Sequence, residues 1–124
     1  MSNAIRGYLG VIPCLLYSNP SAAADWIAQV LGFRESPRCA EQCRCAAGQV
    51  ELERRDGAIL VLGRSDTSWR GTRSHTRVIV DDVDDTCLRA LCAGGAVERG
   101  PTDEPSALVS DPEGNRWELV PAPV

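Results

Sequence analysis

One pattern of apolar and polar segments occurs twice along this chain, once in each half. The first occurrence starts with an apolar run, Val11–Tyr17, which predicts a strand. An Ala-rich stretch from Pro20 to about Leu31 follows, with apolar residues at helical spacing. Asn19 is a favourable N-cap, Pro20 stands at N1 where its missing N–H costs nothing, and Gly32 supplies the C-terminal stop. The pattern therefore predicts a strand and then a helix.

The rest of the chain continues this order. The predicted elements are strands at Phe33–Arg38, Arg44–Arg54 and Ala58–Gly63, then a strand at His75–Val80, a helix capped by Asp82 that ends near Gly94-Gly95, and strands at Ala96–Arg99, Ala107–Ser110 and Arg116–Val120. The Asp56-Gly57 pair is a tight hairpin signal between two of the strands. Each half therefore reads β-α-β-β-β.

The two halves are related by a constant offset. Asn19 and Asp82 are 63 residues apart, as are Gly32 and Gly95. A repeat of half the chain indicates a duplicated supersecondary unit rather than a solenoid, which would need more copies. We expect one α+β domain over residues 1–124, with a first module at 10–63, a polar linker at 64–74 and a second module at 75–121.

Composition and charge narrow the function classes. The net charge of −4 disfavours nucleic acid as a partner and mildly favours a cationic ligand. No apolar run approaches the ~20 residues that span a bilayer, and residues 1–6 lack a charged-then-apolar signal pattern. The expectation is a cytoplasmic protein that partners neither membranes nor nucleic acid.

Six cysteines are too few for a disulfide scaffold in a chain of 124 residues. Cys39, Cys43 and Cys45 cluster, but their spacing matches no common zinc site and no partner pair or histidine lies nearby. A reduced set on a hairpin is the simplest interpretation. A soft-metal or redox role for these three thiols stays open.

Two segments of the second half contain candidate chemistry. Residues 111–119 form a turn that runs into a strand containing Glu118, and His75 opens another strand. A histidine and a glutamate on two strands form a possible half-site for a metal.

The order of elements and several motifs together resemble the vicinal oxygen chelate superfamily, the glyoxalase / bleomycin resistance protein / dioxygenase fold. The motifs are Ile12–Tyr17, Val30–Phe33, Val80–Val83 and Asp111–Glu118. The resemblance implies two modules whose curved, mostly antiparallel sheets form a cup, with the helices outside. The superfamily includes lyases, dioxygenases, epimerases, thiol transferases and non-catalytic drug-binding proteins, so the fold alone does not fix the function.

The resemblance also implies where metal ligands would stand, one on each of four strands. In the second half the positions are His75 and Glu118; in the first half they are Ile12 and Val61, which cannot ligate a metal. Catalytic transition metals usually have three protein ligands, and here two are offered. We therefore expect no cofactor, with a divalent metal at His75 and Glu118 as the alternative, and a metal-free acid/base pair as a further one.

Strand parity then predicts the lining of the cup, because side chains alternate between the two faces of a strand. The predicted ligand-binding residues are Ile12, Cys14, Leu16, Ile59, Val61, His75, Arg77, Arg116 and Glu118, with Trp69 from the linker as an aromatic contact. An apolar wall facing a polar wall is the usual composition of a small-molecule pocket.

These features favour a small-molecule-binding protein that resembles the metal-free drug-binding branch of the superfamily, a bacterial homodimer that confers antibiotic resistance by sequestration. One alternative is a metal-dependent lyase or dioxygenase with a degenerate ligand set, in which His75 and Glu118 would be catalytic. Another is a cysteine-based module for soft metals or metalloids.

Overall fold

The computed structural model describes residues 10–37, 49–65, 73–102 and 104–123, which form two β-α-β-β-β modules. The first module contains β1 (Cys14–Tyr17), α1 (Pro20–Leu31), β2 (Arg34–Glu35), β3 (Val50–Glu53) and β4 (Ile59–Arg64). The second contains β5 (His75–Val80), α2 (Val83–Cys92), β6 (Ala96–Arg99), β7 (Ala107–Ser110) and β8 (Arg116–Pro121).

Each module has a four-stranded mixed sheet with the same topology. The strand orders are β1-β4-β3-β2 and β5-β8-β7-β6. The pairs β1–β4 and β5–β8 are parallel, and the other two pairs in each sheet are antiparallel. This confirms the predicted fold class of two similar modules with curved, mostly antiparallel sheets.

Both helices begin and end for the predicted reasons. Asn19 Oδ1 accepts a hydrogen bond from the Ala22 N–H at 3.1 Å, and Asp82 Oδ1 accepts one from the Asp85 N–H at 3.0 Å. Gly32 ends α1 in the left-handed conformation, at φ 78°, which favours glycine. The cap positions therefore set the bounds of both helices.

The first strand is shorter than predicted. We expected it to begin at Val11, but β1 begins at Cys14. Pro13 has no N–H to donate to a ladder, and only its carbonyl is used, as acceptor for the Val61 N–H at 3.0 Å.

The neighbouring strands are also shorter than predicted: β2 ends at Glu35, before Ser36 and Pro37, and β3 begins at Val50, after Gln49. Pro37 has no N–H to donate to a ladder. Residues 38–48 of the two predicted strands lie outside the described residues.

One face of each sheet packs under its helix and forms the core. In the first sheet the buried side chains are Leu15, Tyr17, Leu52, Leu60 and Leu62; in the second they are Val78, Val80, Val109, Trp117 and Leu119. Trp26, Ile27 and Val30 of α1 and Cys87 and Ala90 of α2 cover them. The opposite face of each sheet, called the inward face below, is left without a helix.

The two modules meet through α1 and α2 and through the β7–β8 turn. The Trp26 ring of α1 lies against Gly95, just after α2: a Cβ built on Gly95 would be 3.0 Å from the ring and 2.5 Å from the Ser110 carbonyl oxygen. A side chain at residue 95 would therefore clash with the backbone of its own module and press against the Trp26 ring of the other. Among the described helices, neither is long and apolar enough to cross a membrane.

Candidate functional site

Strand register identifies the side chains on the inward face of the first module. Cys14 pairs with Val61 across β1 and β4, and Leu60 and Leu62 on either side of Val61 are buried in the core. Ile59 and Val61 are half-buried on the inward face, with Leu16 beside them. Leu16 is close to the backbone here, since a Cβ built on Gly63 would be 3.3 Å from its Cδ2. The centre of this inward face is apolar.

The same register places two carboxylates on this face that sequence analysis missed. Glu51 pairs with Val61, and Glu53 pairs with Ile59. The intervening Leu52 is 1% exposed, so the glutamates must point to the other side. Glu53 forms an ion pair with Arg34 at 3.4 Å. The alternation Val50-Glu51-Leu52-Glu53 is a period-2 signal that could have identified both glutamates before the structure was known.

The inward face of the second module is charged where the first is apolar. His75 and Arg77 project from β5, and Arg116 and Glu118 from β8. Glu118 Oε1 accepts a hydrogen bond from Arg77 Nε at 3.3 Å and lies 3.7 Å from His75 Nε2. A second ion pair joins Arg116 to Glu98 at 3.1 Å. The charges on this wall are therefore arranged as pairs of opposite sign.

These inward side chains are open to solvent in the single chain. The His75, Arg77 and Arg116 side chains are 55%, 71% and 54% exposed. Ile79, at the end of β5, is 49% exposed although it is large and apolar. The inward faces thus have the chemistry of a pocket lining without the enclosure of one.

The remaining predicted site residues are placed as follows. Ile12 precedes β1 and is 49% exposed, so it lies at the margin of the inward face rather than on a strand. Trp69 lies outside the described residues, as do Cys39, Cys43 and Cys45.

The donor set for a metal was tested by its chemistry. Within the described ranges, no group of three or more His, Cys, Asp or Glu side chains could hold an ion. Glu118, one of the two candidate ligands, is engaged by the Arg77 guanidinium, whose positive charge opposes a dication. The matching positions of the first module are Ile12 and Val61. The described residues of one chain therefore do not fit a catalytic metal.

The turn between β7 and β8 has a structural role. Asp111 is 4% exposed, and its carboxylate accepts hydrogen bonds from Tyr17 Oη at 2.5 Å and Trp117 Nε1 at 3.2 Å. The backbone N–H groups of Glu113 and Asn115 donate to its other oxygen at 3.2 and 3.0 Å. Burial, and then the charge and hydrogen bond of Asp111, raise the pKa of the Tyr17 phenol above its ordinary value. The network joins β1 of one module to the turn of the other.

Glu113 of the same turn reaches the start of α1. Its Oε1 accepts from the Ser18 N–H and hydroxyl, both at 2.8 Å, and its Oε2 accepts from the Asn19 N–H at 2.9 Å. Burial alone would raise the pKa of the Glu113 carboxyl, but these hydrogen bonds and the nearby Arg73 charge outweigh it and hold the pKa below its ordinary value. A negative charge at this position also suits the positive end of the α1 dipole.

Two β-α-β-β-β modules, each with its helix on one face of a mixed sheet and the other face open, define a protein of the glyoxalase / bleomycin resistance fold class. The chain belongs to the glyoxalase-like domain family, whose family model matches residues 14–120. The match covers both modules.

Similar proteins support the same assignment. The chain is 34% identical over 116 residues to a putative glyoxylase, CFP32, of Mycobacterium bovis, covering 88% of this chain and 42% of that protein. It therefore spans about two fifths of the length of this curated relative. Among solved structures, it is similar to TioX from Micromonospora sp. ML1, with 29% identity, a TM-score of 0.67 and coverage of 87% and 94% of the two chains. The fosfomycin resistance protein FosX from Mesorhizobium loti shares the fold, with a TM-score of 0.72, 15% identity and 94% coverage of each chain.

Proposed function

We propose that this protein binds a small molecule without catalysis, in a cup formed by its inward faces. The observation that carries the proposal is the chemistry of these faces. Apolar side chains stand in the first module where the superfamily would place metal ligands, and in the second module Arg77 is bound to Glu118, the carboxylate at a ligand position. Such a surface can hold a ligand by apolar contact and oriented charge, and among the described residues of one chain no three donors are grouped as a catalytic metal would need.

The ligand best suited to this surface is amphipathic and cationic. Ile59 and Val61 offer an apolar area beside β3, which carries the carboxylates of Glu51 and Glu53. The ion pair of Glu53 with Arg34 is exposed, with Arg34 72% exposed. Exposed pairs of this kind contribute about 0–1 kcal/mol, so a ligand cation can replace Arg34 at little cost. Enclosure of the cup would then strengthen the new pair by excluding water.

Completion of the cup requires a second copy of the chain. Within one chain the modules meet through their helices and the β7–β8 turn, and the inward faces remain open to solvent. Large apolar side chains such as Ile12 and Ile79 are half exposed there. We propose a homodimer in which inward faces of two chains enclose two equivalent cups, the twofold arrangement that is commonest among oligomers. Light scattering should give twice the mass of one chain at micromolar concentration; a monomer would count against the dimer.

In the cell, such a protein would act by sequestration of a toxic natural product, as a resistance protein in the bacterial cytoplasm. FosX is described as a fosfomycin resistance protein and shares the fold at low identity. The relation supports the capacity of the fold for resistance functions.

A variant that fills the cup tests the proposal. Val61→Trp would place an indole on the inward face, at a cost of about 1–3 kcal/mol from overpacking. Calorimetric titration should show that it abolishes binding of any hit from a panel of basic natural products that includes bleomycin. Leu88→Trp is the matched control, because this variant adds the same ring at an α2 position where the Leu88 side chain is 61% exposed. Unchanged affinity in Val61→Trp would mean that the ligand does not occupy the cup.

One observation favours a second candidate, a metal-dependent lyase or dioxygenase. The 3.7 Å approach of His75 Nε2 to Glu118 Oε1 is compatible with two ligands on one ion. Elemental analysis should find well below one equivalent of zinc, iron, nickel or manganese per chain. A stoichiometric metal that is lost in His75→Ala would replace the binding proposal with the enzymatic one.

A further inference from the structure

A groove between the modules forms a second candidate site, away from the inward face of the first module. It has a volume of about 460 Å³ and lies between the end of α1, the β3–β4 turn, the end of β5 and α2. This size is within the range of small-molecule pockets. Its lining combines apolar side chains such as Val30 and Ile79 with three arginines, Arg54, Arg55 and Arg89.

The internal repeat explains why this space exists. The offset of 63 residues makes Val80 the counterpart of Tyr17 and Arg89 the counterpart of Trp26. At the junction where the β7–β8 turn meets β1 and α1, those two aromatic rings are buried, at 1% and 3% exposure. At the other junction, the equivalent positions hold the smaller side chain of Val80 and the exposed side chain of Arg89. The groove is therefore the unfilled counterpart of a packed aromatic junction.

The two junctions also differ in what the carboxylate of the adjoining turn binds. Glu113 and Asp56 are counterparts, because Asp56-Gly57 and Glu113-Gly114 occupy the same turn position 57 residues apart. Glu113 binds the backbone where β1 leads into α1. Asp56 instead pairs with Arg54 of its own turn, and the hydrogen bond from Arg54 holds the pKa of its carboxyl low. The position equivalent to the Glu113 carboxylate is thus not taken by Asp56.

The arginines of the groove differ in how firmly they are held. Arg54 is fixed by Asp56 and by the Phe33 ring, whose centroid is 5.3 Å from its Cζ. Arg89 pairs with Asp85 at 3.2 Å in an exposed i,i+4 contact of small energy. Arg55 makes no ion pair within the part of the chain that the structure describes. The lining also contains Asp56 and Asp81, so its three arginines and two aspartates leave a net charge of +1.

From this geometry we infer that the groove binds a small aromatic carboxylate. The aromatic ring would occupy the space that Tyr17 and Trp26 fill at the other junction. The carboxylate would take the place of Glu113 and pair with Arg55 and Arg89. The ligand would contact both modules of one chain beside the end of β5, where Ile79 of the groove lining also reaches the inward face. The inference rests on the groove residues and does not depend on the proposed function.

The test uses 3-phenylpropionate and its amide as probes, measured by calorimetric titration of the full chain. The acid should bind at least about tenfold more tightly than the amide, because the amide loses a charge-assisted hydrogen bond. Arg89→Trp would restore the aromatic filling of the other junction and should abolish binding of the acid. Leu88→Trp adds the same ring one residue away, outside the groove lining, and should leave binding unchanged.

Two further variants separate this site from the cup. Arg55→Ala should weaken the acid about tenfold, whereas Arg99→Ala removes the same charge outside the groove and should have no effect. Val61→Trp fills the cup and should leave the acid bound. Equal affinity of acid and amide would overturn the inference, as would loss of binding in Val61→Trp with retention in Arg89→Trp.

Discussion

Replacement of Asp111 should destabilise the protein more than replacement of any exposed aspartate or glutamate. Asp111→Ala removes the acceptor for the Tyr17 hydroxyl and the Trp117 indole N–H, both of which are buried. A buried donor left without a partner costs about 1–3 kcal/mol, and two backbone N–H groups of the turn lose their acceptor as well. We expect a loss of about 3–5 kcal/mol, a large share of the ~5–15 kcal/mol that stabilises a typical domain.

The experiment is urea unfolding followed by far-UV circular dichroism, because Trp117 itself would disturb a fluorescence signal. With a urea dependence of about 1–3 kcal/mol per molar, the midpoint should fall by about 1–5 M. Asp111→Asn should be intermediate: its amide keeps the shape and one acceptor, but its NH2 group faces an indole that can only donate. Asp25→Asn, on the exposed side of α1, is the control and should stay within about 0.5 kcal/mol of the parent. A loss below about 1 kcal/mol in Asp111→Ala would refute this account of the turn.

Two other predictions concern the same junction. Gly95→Ala should lower the free energy of unfolding in urea by about 1–3 kcal/mol, because the new Cβ would be 2.5 Å from a carbonyl oxygen. Gly100→Ala is the control and should be nearly neutral, because a Cβ there has no atom within 4 Å. Equal losses in the two variants would contradict the steric argument. Glu113→Gln should lower stability at neutral pH by roughly 1 kcal/mol or less. Since the folded pKa of Glu113 is lowered, its contribution is present above the ordinary pKa of about 4.3 and is lost as pH falls through the folded value. The variant and the parent should therefore converge in acid; a constant difference down to pH 2 would show that the charge is not involved.

Much of the fold could be predicted from the sequence because its signals are local. The caps at Asn19 and Asp82, the stop at Gly32 and the constant offset between the halves each involve residues within one element or its repeat. Pro13 carried a local signal too, its missing N–H, and the predicted start of β1 was wrong because that signal was overlooked.

The candidate site was harder to predict because it depends on contacts between distant segments. The alternation of side chains predicted the inward positions of β5 and β8. The same alternation in β3 places Glu51 and Glu53 on the inward face, but it was not applied to that strand. The sequence predicted that the stretch from Asp111 to Asn115 is a turn leading into the strand with the candidate metal ligand Glu118. Its hydrogen bonds to Tyr17 and Ser18 join residues 94 and 95 positions apart, and no local pattern reports such pairs. The role of the turn as the join between modules therefore required coordinates.

This join also has a consequence for the order in which the protein is made. The backbone donors of Ser18 and Asn19 leave the ribosome long before Glu113 does, and at about 5–20 residues per second the delay is roughly 5–20 s. Throughout that interval Tyr17 lacks its buried acceptor and the Trp26 ring lacks the surface at Gly95. The first half of the nascent chain thus exposes two aromatic side chains until the β7–β8 turn is synthesised. Chaperones that recognise exposed aromatic residues should engage this chain during elongation and release it once residue 117 has emerged.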